Sequence, residues 1–145
     1  MATPPCGSTD SGQALYFSGE GVREAVTASL DLRQATGVSF YLRIGSDDST
    51  CETADTAENI ELSHKVGSSG WVSLQTFTST SYRTAGYIYI DIQNQLKFNG
   101  VQFRIRQAVL TANSYDVWSI DTFTIHSAAQ RPACTVACHF DNFYI

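Results

Sequence analysis

Apolar and polar residues alternate with a period of two along much of this 145-residue chain. Val38, Phe40, Leu42 and Ile44 fall on one side of a run whose other side holds Ser39, Tyr41 and Arg43. Ile60, Leu62, His64 and Val66 alternate with Glu61, Ser63 and Lys65. Ile88, Ile90 and Ile92 oppose Tyr87, Tyr89 and Asp91, and Val101, Phe103 and Ile105 oppose Gln102, Arg104 and Arg106. Side chains of a strand point alternately to the two faces of its sheet, so each run reads as a strand with one buried and one wet face. Further strands are predicted over residues 13–18, 22–28, 71–77, 117–125 and 140–145. Ser18-Gly-Glu-Gly21, Gly67-Ser-Ser-Gly70 and Asn99-Gly100 supply turn chemistry between them. About nine short strands without a helical period predict an all-β, antiparallel, two-sheet sandwich.

Composition narrows the class. Tyr, Phe and Trp make up 12% of the chain, which suits pleated, half-buried surfaces. The length fits one domain spanning residues 1–145. A net charge of −5 argues against nucleic acid as the partner, because phosphates demand a basic face. No apolar run approaches the length of a membrane span. Residues 1–6 have neither the charged start nor the apolar centre of a signal peptide.

The four cysteines, Cys6, Cys51, Cys134 and Cys138, are even in number and form no Cys-x-x-Cys motif. That leans toward disulfides, with three connectivities open, and so toward an extracellular origin, secreted or as an ectodomain fragment. Zinc would need a tighter set than Cys134, Cys138 and His139.

The strands also spell a familiar order. Cys6-Gly7, Gly12-Gln-Ala-Leu-Tyr-Phe17, Arg23 with Thr27, and Leu30-Asp-Leu32 come first. Val38-Ser-Phe-Tyr-Leu-Arg-Ile-Gly45, a long acidic loop with Cys51, and Ile60-Glu-Leu-Ser63 before Trp71 follow. Val101-Gln-Phe-Arg-Ile-Arg-Gln107 and Val117-Trp-Ser-Ile-Asp-Thr-Phe123 end the series. In order and spacing, residues 6–126 resemble the jelly-roll subrepeat of reelin-type extracellular proteins.

The resemblance implies a non-enzymatic module that meets an extracellular receptor or matrix component. It also implies structural calcium, and its cysteine positions pair Cys6 with Cys51, leaving Cys134 to Cys138. Two departures stand out. Residues 1–5 lack the expected opening strand, and a Cys-containing tail, residues 127–145, ends in the strand-like Phe140-Asp-Asn-Phe-Tyr-Ile145. An open sheet edge invites another strand. The tail is therefore expected to fill that edge in its own domain or in a neighbouring copy; the alternative is that it begins a following module.

The sequence holds no nucleophile elbow, no metal-ligand His pair and no phosphate-cradling Gly loop. His64 falls on an apolar strand face, as a core histidine does, and Asp47-Asp48 sit in a loop rather than on facing strands. The chain is read as a binding module, not an enzyme. For calcium, Asp121 is the leading ligand, sharing a face with Phe123 and so pointing inward or toward the sheet end. A charge placed there needs a partner, which is a cation or else backbone N–H groups or an Arg. Asp141, in a similar Phe-Asp-Asn-Phe setting, is the second candidate. Arg104 and Arg106, joined by Arg43, form a candidate ligand face for acidic protein or sulfated glycan, against the simpler reading of a solvated strand face. Trp71 and Trp118 are expected in the core. An exposed row of Tyr41, Tyr87 and Tyr89 would favour a carbohydrate-binding lectin instead.

Overall fold

The structure is a computed structural model that describes residues 14–45, 55–107, 109 and 117–128, and the backbone of residues 136–137 and 143–144. Its strands are β1 (Leu15–Phe17), β2 (Glu24–Thr27), β3 (Leu30–Asp31), β4 (Ala35–Ile44), β5 (Ile60–Val66) and β6 (Val72–Phe77). They continue with β7 (Gly86–Asp91), β8 (Asn99–Gln107), β9 (Trp118–Ser127), β10 (Val136–Ala137) and β11 (Phe143–Tyr144). One 3-10 turn, Asn94–Leu96, interrupts them.

The strands form two sheets. Sheet A runs β1-β9-β4-β7, with β10 also beside β9; sheet B runs β11-β2-β8-β5-β6, with β3 also beside β8. Every pairing is antiparallel. With the two-residue strands set aside, β1-β9-β4-β7 faces β2-β8-β5-β6. This is the interlocked double Greek key of a jelly roll.

The alternation explains which side of each strand is buried. Val38, Phe40, Leu42 and Ile44 of β4 and Val101, Phe103 and Ile105 of β8 are fully buried between the sheets. Four phenylalanines bridge the layers: Phe40 and Phe123 from sheet A, Phe77 and Phe103 from sheet B. The Phe40–Phe77, Phe40–Phe123 and Phe103–Phe123 ring centroids each lie 5.9 Å apart. Truncating one of them to Ala would cost about 3–5 kcal/mol by lost burial and the cavity left behind. At one end, Phe17 stacks on Trp118 with centroids 3.8 Å apart.

Four register shifts break the simple pattern among the described residues, and two of them bear on the sequence expectations. Asn99-Gly100 is not a turn but the start of β8. Asp31 pairs with Asn99 and Leu30 with Val101, so Gly100, at φ 83°, is the extra residue of a β-bulge. On β9, Tyr41 pairs with Asp121 while Ser39 pairs with Thr124, and Thr122 between them sits at φ 51°. A β-branched residue in that region is strained.

The last two strands lie on different sheets. β10 pairs with Thr124–Ile125 of β9, in line with β1, which pairs with Trp118–Ile120. β11 pairs with Val26–Thr27 of β2, at the edge of sheet B.

Candidate functional site

The outward residues of the two sheets make two different surfaces. On sheet A, β7 presents Tyr87, Tyr89 and Asp91, beside Ser39 and Tyr41 of β4. Tyr87 is 55% and Tyr89 46% exposed, high values for aromatic residues in the middle of a strand. Tyr41 is half-buried, and its ring meets Tyr87 edge-on with centroids 5.3 Å apart.

Tyr89 lies down across β4 because Gly37 leaves room for it. A Cβ on Gly37 would fall 2.3 Å from the phenol end of the Tyr89 ring. The ring reaches His126, with centroids 5.3 Å apart and a tilt of 50°. His126 Nε2 in turn shares a 2.8 Å hydrogen bond with Ser39 Oγ, which fixes the imidazole. The result is an aromatic shelf of Tyr41, Tyr87, Tyr89 and His126, edged by Ser39, Thr124 and Asp91.

On sheet B, Glu61, Ser63 and Lys65 of β5 face outward with Arg104 and Arg106 of β8. Trp71 is not in the core. It is half-buried on this outer face, with the Lys65 ammonium 4.9 Å and the Arg104 guanidinium 4.6 Å from its ring centroid. The outward cations of β5 and β8 need cover, and the indole supplies it. Arg104 also donates from Nε to Ser63 Oγ at 3.2 Å and lies 4.0 Å from Glu61. Arg106 lies 3.8 Å from Glu24.

The expected arginine face is thus divided. Arg104 and Arg106 share sheet B, whereas Arg43 pairs with Ser119 on sheet A and donates to the Gly45 carbonyl at 3.1 Å. Trp118 does occupy the core, at 2% exposure.

Contrary to expectation, Asp121 does not share a face with Phe123. Asp121 follows the inward Ile120 and faces the outer side with Tyr41, its cross-strand partner, and the bulge at Thr122 then returns Phe123 to the core. The Asp121 carboxylate is buried and accepts a hydrogen bond from Thr122 Oγ1 at 3.1 Å. It fits the role of one hard oxygen ligand for calcium. Among the described residues no set of three His, Cys, Asp or Glu side chains converges, so further oxygens would have to come from carbonyls or from other residues. Asp141 and the four cysteines, Cys6, Cys51, Cys134 and Cys138, lie outside the described residues.

His64 pairs with Phe103, which sets it on the inner side of sheet B at partial exposure. Burial pushes its pKa below the usual value, opposed by a hydrogen bond with the Val72 backbone.

Residues 2–126 match the family model for reelin subrepeat B. The chain belongs to the reelin subrepeat B family. The match begins at residue 2, slightly ahead of the resemblance traced in the sequence. Reelin-type repeats are extracellular-type, non-enzymatic modules. Among the described residues, no helix is long and apolar enough to cross a membrane.

In this reelin-type repeat the Ser39–His126 contact is a positioning bond. Activating a serine needs the second imidazole nitrogen held by a third group and an accessible hydroxyl, and Ser39 is only 3% exposed. The sequence reading missed this bond and the packing at Gly37. A glycine inside a strand run marks a close approach, so that signal was present in Ala35-Thr-Gly-Val38.

Proposed function

We propose that this reelin-type repeat is a non-enzymatic extracellular binding and adhesion module that meets a receptor or matrix component through the outer face of sheet A. One observation carries the reading: Tyr87 and Tyr89 are about half exposed and project from the same face of β7, the edge strand of sheet A. Tyrosine gives a large, stiff contact area with a polar tip, which is why binding surfaces are enriched in it. The cations of sheet B, in contrast, are engaged with Trp71, Ser63 and the glutamates.

Adhesion of the intact chain to a surface coated with extracellular matrix, followed by surface plasmon resonance, tests this. Tyr87→Ala with Tyr89→Ala is expected to weaken adhesion at least about tenfold, the loss of roughly 1.4 kcal/mol or more of contact energy. Arg106→Gln is expected to leave it near wild type. Adhesion that ignores the tyrosines overturns the choice of face.

Calcium belongs to the same proposal as a structural ion with no part in chemistry. Asp121 supplies one oxygen beside the strained Thr122, on the side of the sheet that Tyr41 covers. Calcium binding to the folded chain alone raises the melting temperature by mass action. The expected outcome is a rise between EGTA and millimolar Ca²⁺ that Asp121→Ala abolishes. An unchanged melting curve removes the site.

A further inference from the structure

Resting on that choice of face, we infer that the chemical group gripped by the sheet A shelf is the pyranose ring of a neutral glycan. Three features of the shelf select this ligand.

The first is ring presentation. Tyr89 reaches across Gly37, where a Cβ would fall 2.3 Å from its phenol end, and still stays 46% exposed. Tyr41 braces Tyr87 edge-on at 62°, which holds the second ring in place. Tyr87 and Tyr89 are two residues apart on β7, a distance of about 6–7 Å along the strand. That spacing is on the scale of successive sugar units in a chain. The C–H face of a pyranose carries partial positive charge and is attracted to the negative face of an aromatic ring.

The second is the polar surround. The half-buried His126 and the exposed Asp91 border the rings and offer an imidazole and a carboxylate, while the buried Ser39 and Thr124 hydroxyls are bonded to His126 and to the Thr122 carbonyl. A site of aromatic surface with a few placed hydrogen-bonding groups is the usual composition for gripping a polyhydroxylated ring. The Ser39–His126 bond sets the imidazole in advance, so less ordering is needed on binding.

The third is charge. The cation–π contacts among the described residues are on Trp71, on the opposite sheet. Next to the tyrosines stands the exposed Asp91 carboxylate, and the whole chain carries a charge of −5. Arg43, two positions from Tyr41 on the same face, is tied to the Gly45 carbonyl, so the charge beside Tyr89 favours an uncharged chain over a sulfated or carboxylated one.

The test uses the intact 145-residue chain in millimolar Ca²⁺. Neutral gluco-, galacto- and manno-oligosaccharides are titrated by isothermal calorimetry, with a sulfated oligosaccharide as the comparison. The expected result is binding of at least one neutral series, weakened about tenfold or more by Tyr87→Ala or Tyr89→Ala. Gly37→Ala should also weaken it, since the new methyl displaces the Tyr89 ring without removing it. Thermal melts confirm that each variant is folded. No binding of any neutral series, a preference for the sulfated chain, or affinity indifferent to both tyrosines would overturn the inference. A tyrosine-dependent dimer of the chain in sedimentation would do the same. Adhesion to enzymatically deglycosylated matrix separates this inference from the reading it rests on. Tyrosine-dependent adhesion that survives deglycosylation sinks the glycan and keeps the face. Adhesion blind to the tyrosines sinks the face itself.

Discussion

The outer faces of the two sheets carry similar side chains and use them differently. Each has aromatic rings, hydroxyls and charged groups on alternating strand positions. On sheet B these groups answer one another: Lys65 and Arg104 lie over Trp71, Arg104 bonds Ser63, and Arg106 stands near Glu24. On sheet A the rings lean on backbone and on each other, and Tyr87 and Tyr89 keep their outer surfaces free. Residue type alone would have favoured the arginine stripe as the contact surface. What distinguishes a binding face is contact capacity left unused inside the molecule, and that depends on neighbours.

The largest expected effect bears on the edge of sheet B. Deleting residues 139–145 removes β11 from β2 and leaves β10 on sheet A. We expect a loss of several degrees in melting temperature, about 3 °C or more for a chain of this size. Amide exchange should quicken at Val26 and Thr27 while Ile125 stays protected. A truncated chain as stable and soluble as the full one would show that the tail is not part of the domain.

Next comes Trp71→Ala. Two cation–π contacts of about 0.5–1 kcal/mol each, plus the apolar cover on two long cations, predict about 1–2 kcal/mol of destabilisation in urea. The matching change on the other face, Tyr87→Ala, should stay within about 0.5 kcal/mol, because an exposed ring contributes little to folding. If the two variants lost equal stability, the contrast between the faces would fail.

The smallest effect concerns His64. Burial lowers its folded pKa below the ordinary value of 6.5. The unfolded chain therefore binds the proton more readily, and stability should decline as pH falls through the range just below 6.5. His64→Gln should flatten that part of the stability–pH curve, measured by chemical denaturation at a series of pH values.

Much of the fold was legible in the alternation. Val38, Phe40, Leu42 and Ile44, or Val101, Phe103 and Ile105, declare a strand and its buried side through local periodicity. The order of motifs from Gly12 to Phe123 pointed to the family. The alternation also set Tyr87, Tyr89 and Asp91 on one face, and Arg104 and Arg106 on another, because a strand's geometry is a local property.

Tertiary structure decided everything that required two strands at once. A bulge adds one residue to one partner, so only pairing reveals that Thr122 breaks the phase, leaving Asp121 outward while Phe123 goes in. Arg43 parted from Arg104 and Arg106 because β4 and β8 belong to different sheets. Trp71 left the core because Lys65 and Arg104, brought together by the β5–β8 pairing, offered it an outer seat. Tyr89 became a flat shelf because β7 pairs with β4 in the register that sets its ring over Gly37. Period-two patterns fix which way a side chain points, but long-range pairing fixes what it meets.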